Sequence, residues 1–168
     1  MNNLLFSNIG RFLGLVLVQV LICNQMDFLG HLNPFIYVLF ILIYPIGTNR
    51  LQFLFWCFII GIIIDHFLDT GGAHAAASAT MAYIRPFFLK FAFGAAYEYQ
   101  AIKFGQAEFF PRLTYFGFLI VIHHLLLFSL LFFDVDKLDL IISNALSSSA
   151  FTLFLALLLS GLFSTKES

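Results

Sequence analysis

Long apolar stretches recur along the whole chain and leave little room for anything else. Of the 168 residues, 61% are hydrophobic and only 10% are charged, whereas charged residues make up about a quarter of an ordinary soluble domain. A membrane-spanning helix needs about 20 mostly apolar residues. The sequence therefore predicts one integral membrane domain in the lipid bilayer, an all-α compact bundle of about six transmembrane helices.

The boundaries of the predicted spans follow from the polar or proline-containing breaks between the apolar stretches. A longer connection over residues 95–110 mixes aromatic and charged side chains, which is typical of a helix lying in the headgroup region. Residues 164–168 are expected to form a short cytoplasmic tail after a membrane domain that covers residues 1–163. The six spans are predicted at residues 4–23, 32–47, 51–68, 73–93, 112–133 and 139–163.

The basic residues determine the predicted orientation. With the amino terminus inside and six crossings, seven of the eight basic residues fall in inner loops and ends, and only Lys137 falls outside. Because Lys and Arg are enriched in cytoplasmic loops, both termini are predicted to be cytoplasmic. The net charge of -1 gives no reason to expect a nucleic-acid partner. The seven inner residues are Arg11, Arg50, Arg85, Lys90, Lys103, Arg112 and Lys166.

Two carboxylates, two histidines and an Arg-Pro pair lie within residues 61–86, which read GIIIDHFLDTGGAHAAASATMAYIRP. On the third span, Cys57, Gly61, Asp65 and Asp69 recur every four residues and therefore share one helical face. Glycine allows a neighbouring backbone to approach closely. This face is therefore expected to point into the bundle, with the carboxylates at its outer end.

Two interpretations of these carboxylates stay open. In the first, Asp65 caps the fourth helix or pairs with a buried partner while Asp69 faces water, and the pair is structural or contacts a partner protein. In the second, the two acids and the nearby His66 and His74 hold a zinc ion, for which these ligand types are suitable. Because the spacing matches no common metal motif, the first interpretation is preferred, and no metal or other cofactor is predicted.

The fourth span begins with small side chains and ends with an Arg-Pro pair. Gly72 and Ala75 belong to an alanine-rich surface suited to close helix packing, either within the chain or with another protein. Pro86 is expected to kink the helix or to end its regular part. Arg85 either binds a phosphate-bearing lipid or extends to the inner interface, and the second interpretation is preferred.

Polar residues in the last two spans are expected to face the bundle interior. His123 and His124 lie near the middle of the fifth span, but adjacent residues diverge by about 100° on a helix. The two rings are therefore not expected to face one site, and His124 is the preferred interior residue. Asn144 and Ser148 lie on a polar stripe of the sixth span that is expected to hydrogen-bond across helices. No nucleophile with a base and an oxyanion hole is recognisable, so the protein is predicted not to be an enzyme.

The stretch at residues 61–86 resembles the MreD family of rod-shape-determining membrane proteins, in its Bacteroidetes-like form. The chain length, the six predicted spans and the cytoplasmic termini also fit this family. The resemblance carries over no catalytic residue, so the matching positions are motif or partner-contact candidates. They are the GxxxD of Gly61 and Asp65, then Phe67, Thr70, Gly72, His74, Ala75, Tyr83, Arg85 and Pro86.

The resemblance implies a non-enzymatic scaffold of the cell-elongation machinery in the bacterial inner (plasma) membrane, which helps to control cell shape and peptidoglycan synthesis in the cell wall. Its implied partner is MreC, a single-span protein with a large periplasmic coiled-coil part. MreB, RodA and a class-B penicillin-binding protein are implied as indirect partners in the elongasome. The resemblance also implies a bundle similar to the substrate-binding subunits of energy-coupling-factor transporters.

Two other functions are alternatives at this point. A vitamin-binding subunit of an energy-coupling-factor transporter requires a cytoplasmic docking face, for which the GxxxG pair at residues 10 and 14 is a candidate, and an outward-open cavity. An intramembrane metal hydrolase requires a metal that is lost when Asp65 or His74 is replaced. The polar groups expected in the vitamin cavity are Asp65, His124, Asn144 and Ser148.

Overall fold

The computed structural model describes residues 2–26, 33–98, 102, 104 and 106–162, with side chains described for 6–26, 33–97, 102, 104 and 106–161. All regular secondary structure in these ranges is helical, which confirms the all-α class. Short 3-10 turns follow the first helix and precede the last one. The α-helices are α1 (Asn2–Leu21), α2 (Val38–Ile43), α3 (Arg50–Leu68), α4 (Ala73–Phe93), α5 (Ala95–Glu98), α6 (Phe109–Phe132) and α7 (Leu138–Leu162).

Four helical stretches are long and apolar enough to cross a membrane, which supports a membrane protein. The 21-residue α4 has the length of a span but is not one of the four, since small and polar side chains lower its hydropathy. The described part of the chain therefore has five long helices where six spans were predicted. The four apolar stretches are Phe6–Gln25, Arg50–Leu68, Phe109–Phe132 and Val135–Gly161.

The largest difference from prediction concerns the second span, expected at residues 32–47. The structure has there only the six-residue helix α2, and residue 32 lies outside the described residues. At 1.5 Å per residue, α2 is about 9 Å long, far less than the hydrocarbon core of about 30 Å. Pro45 explains the early end, because a residue before proline avoids the helical conformation. Tyr44 has φ -56° and ψ 138°, which is extended.

Two further expectations about helix ends differ from the structure. In the predicted headgroup helix at residues 95–110, the described residues are helical only over Ala95–Glu98 before α6 begins, and residues 99–101, 103 and 105 lie outside the described ranges. Helix α4 continues through Pro86 to Phe93 and is capped by Gly94, whose φ is 50°. Of the two expectations for Pro86, the end of the regular helix is therefore wrong, and the kink stays a prediction. The predicted tail at residues 164–168 also falls outside the described part.

The long helices pack around α2. Helices α3 and α4 form an antiparallel hairpin across the turn at residues 69–72, and α6 packs on α4 through stacked rings of Phe88 and Phe118, with centroids 5.6 Å apart. Helix α1 packs on α3 through Phe12 and Trp56, whose rings are 5.5 Å apart. Large apolar side chains on the outer helix faces are exposed, as expected of a bundle surrounded by lipid.

Two arginines lie at one end of the bundle, and two aspartates of the α3–α4 hairpin lie at the other. Arg50 begins α3, and its guanidinium lies 4.9 Å from the ring centre of Tyr83 in the second half of α4. Arg112 lies in the first turn of α6 at the same end, while Asp65 and Asp69 lie at the far end, around the α3–α4 turn. The position of these arginines is consistent with the predicted orientation, although Glu108 at the N-cap of α6 lies at the same end. The basic residues outside the described ranges are Lys103 and Lys166.

Candidate functional site

Helices α3 and α4 come into backbone contact at Gly61 and Ala75. A Cβ atom at position 61 would lie 2.7 Å from the backbone nitrogen of Ala75 and 2.7 Å from the carbonyl oxygen of His74, and it would also collide with Ala75 Cα. Only glycine fits this position without separating the helices. Cys57, Gly61 and Asp65 are buried, which confirms that this face of α3 points into the bundle for three of its four predicted residues, while Asp69 at its end is exposed.

Asp65 caps the first turn of α4. Its Oδ1 accepts hydrogen bonds from the backbone N–H of His74 at 2.9 Å and from the Thr70 hydroxyl at 2.5 Å, and its Oδ2 accepts from the N–H of Ala75 at 2.8 Å. Gly72 occupies the N-cap position with φ 99° and has no side chain for capping. The carboxylate from α3 supplies the missing acceptor and complements the positive end of the helix dipole. The predicted capping role of Asp65 is confirmed.

The four side chains considered as zinc ligands are not brought together. Asp69 and His66 are exposed, whereas Asp65 and His74 are buried and bonded within the protein. Among the described residues, no group of three His, Cys, Asp or Glu side chains is arranged to hold a metal ion. The exposure of Asp69 agrees with the interpretation in which this residue faces water.

Residues 34–44, which we call the buried segment, lie at the centre of the bundle. Each of them is buried, although only Val38–Ile43 form a helix. The carbonyl oxygens of Phe35, Ile36 and Tyr37 accept from N–H groups of α2, but other N–H and C=O groups on either side of α2 need partners outside the segment. In a bilayer, irregular backbone is tolerated only where the protein or a water-filled cavity supplies such partners. Polar side chains from α1, α4, α6 and α7 supply them here.

The first turn of the buried segment is held by a side chain of α1. Gln19 is fully buried, and its Nε2 donates to the carbonyl oxygen of Pro34 at 3.1 Å. Its Oε1 accepts from the backbone N–H of Tyr37 at 3.3 Å. One amide group thus satisfies both a donor and an acceptor of the irregular backbone.

A hydrogen-bonded chain connects the buried segment with α6 and α7. The N–H of Phe35 donates to Thr152 Oγ1 at 3.1 Å, Thr152 Oγ1 lies 3.2 Å from His124 Nε2, and His124 Nδ1 lies 2.8 Å from the carbonyl oxygen of Ile120. Because a carbonyl oxygen only accepts, His124 carries its proton on Nδ1, and Nε2 accepts from the threonine hydroxyl. The expectation that His124 faces the interior is confirmed.

Tyr37 joins two buried histidines. Its hydroxyl oxygen lies 2.8 Å from His74 Nδ1 and 2.9 Å from His123 Nε2. The hydroxyl has one proton, so it donates to one ring and accepts from the other. The remaining ring nitrogens, His74 Nε2 and His123 Nδ1, have no hydrogen-bond partner among the described atoms.

The expectation that only one histidine of the adjacent pair faces the interior is wrong. His123 and His124 are both almost completely buried, and their ring centroids are 5.3 Å apart. Helix α6 is covered on two sides, since His123 contacts Tyr37 in the buried segment and His124 contacts Thr152 in α7. A packed sector of this width accommodates two side chains that diverge by about 100°.

Arg85 holds the other end of the buried segment. Its side chain is 4% exposed, its Nε donates to the Tyr115 hydroxyl at 2.8 Å, and its Nη2 donates to the carbonyl oxygens of Leu42 at 3.3 Å and Tyr44 at 2.5 Å. The Tyr115 hydroxyl donates in turn to Leu42 at 3.0 Å. The preferred expectation that Arg85 extends to the interface is wrong, because the unpaired carbonyls after α2 lie within its reach.

The remaining predicted positions divide between the interior and the surface. Ala75 and Ser148 are buried, and Gly72, Pro86 and Asn144 are half-buried, so the interior placement is confirmed for Ser148 but only in part for Asn144. On α4, small side chains beside Ala75 are exposed. On α1, the GxxxG pair is exposed, and a Cβ atom at either glycine would meet nothing within 4 Å. The exposed positions in these two groups are Ala76, Thr80, Gly10 and Gly14.

Three residues of this network escape sequence reasoning: Gln19, Tyr37 and Tyr115. Gln19 carries a usable signal, because a lone amide within an apolar span normally faces the bundle. The two tyrosines carry none, since the chain has six tyrosines among many aromatic residues and nothing in their spacing distinguishes them.

The fold and its polar centre define an all-helical membrane protein in which the buried segment is held by side chains from the surrounding helices. Comparison with known protein families, with curated proteins and with solved structures finds no match to this chain. The resemblance to the MreD family at residues 61–86 therefore stays a prediction. What those residues do in the structure is the basis for the proposal below.

Replacing Tyr37 with phenylalanine tests the central hydrogen bonds. The Tyr37→Phe variant keeps the ring but leaves His74 Nδ1 and His123 Nε2 without their partner, and we expect it to lose roughly 1–2 kcal/mol of unfolding free energy. Denaturant titration in detergent micelles measures this loss. Tyr83→Phe is the matched control, because Tyr83 is 62% exposed. Equal stability of the two variants would contradict a stabilising role for the Tyr37 hydroxyl.

Proposed function

We propose that the protein is a non-enzymatic scaffold of the bacterial cell-elongation machinery, placed in the inner membrane with both termini in the cytoplasm. In this proposal it docks MreC, and through this contact it helps to position MreB, RodA and a class-B penicillin-binding protein during peptidoglycan synthesis. The four apolar spanning stretches are consistent with such a multi-pass protein.

One observation carries the proposal: four of the motif residues also hold the helices and the buried segment together. Gly61 permits the α3–α4 contact, Asp65 caps α4, and His74 and Arg85 bind the buried segment. The family resemblance thus falls on positions that determine the architecture. A motif of this kind suits a protein whose function is to present a rigid surface to partners.

The polar groups expected in a vitamin cavity give less support to the transporter alternative. Asp65 accepts three hydrogen bonds from the α3–α4 turn and α4, and His124 is bonded through both ring nitrogens. These groups are already engaged inside the protein. A clear thermal stabilisation of the purified protein by thiamine, riboflavin or biotin would contradict the pure scaffold.

The exposed strip of α4 is the docking surface that we assign to MreC. Ala76 and Thr80 are exposed next to the half-buried Gly72, and small side chains allow the backbone of another membrane helix to approach closely. A single-span partner can lie along such a strip. The proposal therefore predicts a helix–helix contact on this side of the α3–α4 hairpin.

Co-purification with MreC tests the docking surface. We expect the wild-type protein to retain co-expressed MreC and the Ala76→Leu variant to retain less than about a tenth of it, since a bulky side chain prevents close approach of the helices and a loss of about 1.4 kcal/mol already weakens binding tenfold. Ala150→Leu is the matched control, because Ala150 is exposed on α7. Full retention by Ala76→Leu would place the interface elsewhere, and no retention by the wild type would contradict MreC docking.

A further inference from the structure

A cavity of about 440 Å³ opens beside Arg85 at the basic end of the bundle. It is bounded by the loop between α2 and α3, by the start of α3 and by the second half of α4. Its volume lies within the range of roughly 300–1,000 Å³ that small-molecule sites occupy. Arg50 and Arg85 both line it, and its described lining includes no aspartate or glutamate.

The two arginines give this cavity a positive charge that no aspartate or glutamate of its described lining neutralises. Arg85 bonds only neutral acceptors among its described partners, namely a tyrosine hydroxyl and two backbone carbonyls. Its guanidinium also lies 5.0 Å from the ring centre of Phe53. Burying a cation without a counter-charge is unfavourable, so an anion in the cavity would be stabilised.

The surroundings of Arg50 strengthen the attraction for an anion. Arg50 is exposed at the first position of α3, where the positive end of the helix dipole lies. Its guanidinium lies 4.9 Å from the ring centre of Tyr83, a cation–π contact that favours this position of the group. Asn49 already accepts from the N–H groups of Leu51 and Gln52, so the arginine side chains rather than these backbone groups are the donors available to a ligand.

We propose that this cavity binds the phosphate group of an anionic phosphate ester, held by Arg50 and Arg85. The planar guanidinium fork matches the spacing of phosphate oxygens, and basic pockets between membrane helices commonly bind anionic lipid headgroups. The phosphate comes from a lipid of the surrounding membrane or from a soluble ester. This ligand site is separate from the MreC docking strip, so either assignment can fail without the other.

Calorimetric titration of the full-length protein in a neutral detergent tests the site. The probes are dihexanoyl phosphatidylglycerol, inorganic phosphate and the zwitterionic dihexanoyl phosphatidylcholine. We expect phosphate or phosphatidylglycerol to bind wild-type protein, and the Arg50→Gln variant to bind the same probe roughly tenfold more weakly, as is typical for the loss of a charge-assisted hydrogen bond. Lys137→Gln is the charge-matched control at the opposite end of the bundle, where Lys137 pairs with Asp134 at 3.3 Å.

The three probes separate the sources of the phosphate. Tighter binding of phosphatidylglycerol than of inorganic phosphate identifies a lipid headgroup, and equal binding of the two identifies a soluble phosphate compound. The proposal is overturned if neither anion binds, if phosphatidylcholine binds as well as phosphatidylglycerol, or if Arg50→Gln and Lys137→Gln bind equally. The test replaces Arg50 and not Arg85, because replacing Arg85 would also remove the hydrogen bonds that hold the buried segment.

Discussion

Replacing Gly61 with valine is expected to destabilise the protein by roughly 3 kcal/mol or more, because overpacking costs about 1–3 kcal/mol and further hydrogen bonds break with it. The new Cβ atom would lie 2.7 Å from the backbone nitrogen of Ala75, and backbone atoms cannot rotate away as a side chain does. Helices α3 and α4 must separate, and this movement withdraws the N–H groups of His74 and Ala75 from Asp65.

The unfolding temperature of the Gly61→Val variant is measured by heating the protein with a fluorogenic maleimide, which reacts with exposed thiols. Cys57 is fully buried one turn before Gly61, and Cys23 is also buried, so both thiols react only when the bundle opens. Gly14→Ala is the matched control, because Gly14 is exposed within α1 and a Cβ atom added there would meet nothing within 4 Å. We expect the control to unfold at or slightly above the wild-type temperature. An unchanged midpoint for Gly61→Val would contradict the backbone contact.

Replacing Asp65 with asparagine is expected to cost roughly 2–4 kcal/mol, since it leaves buried donors unpaired at a helix N-terminus. The substitution conserves the shape of the side chain but converts one acceptor oxygen into an NH₂ group. This group then faces either the N–H of Ala75 or the donors His74 N–H and Thr70 hydroxyl. The Asp65→Asn substitution also removes the negative charge that complements the dipole of α4.

Asp69→Asn provides the control for this experiment. Asp69 is exposed and has φ 54°, a left-handed conformation that asparagine tolerates well, so we expect a change below about 0.5 kcal/mol. The maleimide reaction measures the unfolding of both variants. Hydrogen exchange at the His74 and Ala75 amides measures the local effect on the cap. Faster exchange at these amides in Asp65→Asn alone supports the cap. Equal behaviour of the two variants would show that the carboxylate of Asp65 is dispensable.

Much of the architecture follows from local sequence rules. The recurrence of Cys57, Gly61 and Asp65 predicts the inward face of α3, because side chains four residues apart lie on one side of a helix. The capping of α4 by Asp65 can also be predicted from the sequence, since a carboxylate shortly before a glycine-rich turn can reach the following helix. The structure confirms both.

The buried segment could not be predicted in the same way. An apolar run such as that at residues 34–44 reads as a membrane span, and hydropathy alone does not distinguish a helix in lipid from a short helix inside protein. The outcome depends on acceptors and donors that are distant in sequence, since Thr152 is 117 residues from Phe35 and Arg85 is 41 residues from Tyr44. Arg85 and His123 are buried because they bind this segment, so their burial cannot be predicted without it.

Site-specific photo-cross-linking in living cells tests the proposed function most directly. A benzophenone-bearing amino acid replaces Ala76 on the exposed strip of α4 in one strain and Ala150 on α7 in another, both positions being exposed alanines on long helices. The scaffold proposal predicts an irradiation-dependent adduct with MreC from position 76 and little or none from position 150. Adducts of equal yield from both positions, or no MreC adduct from position 76, would contradict docking of MreC on this strip.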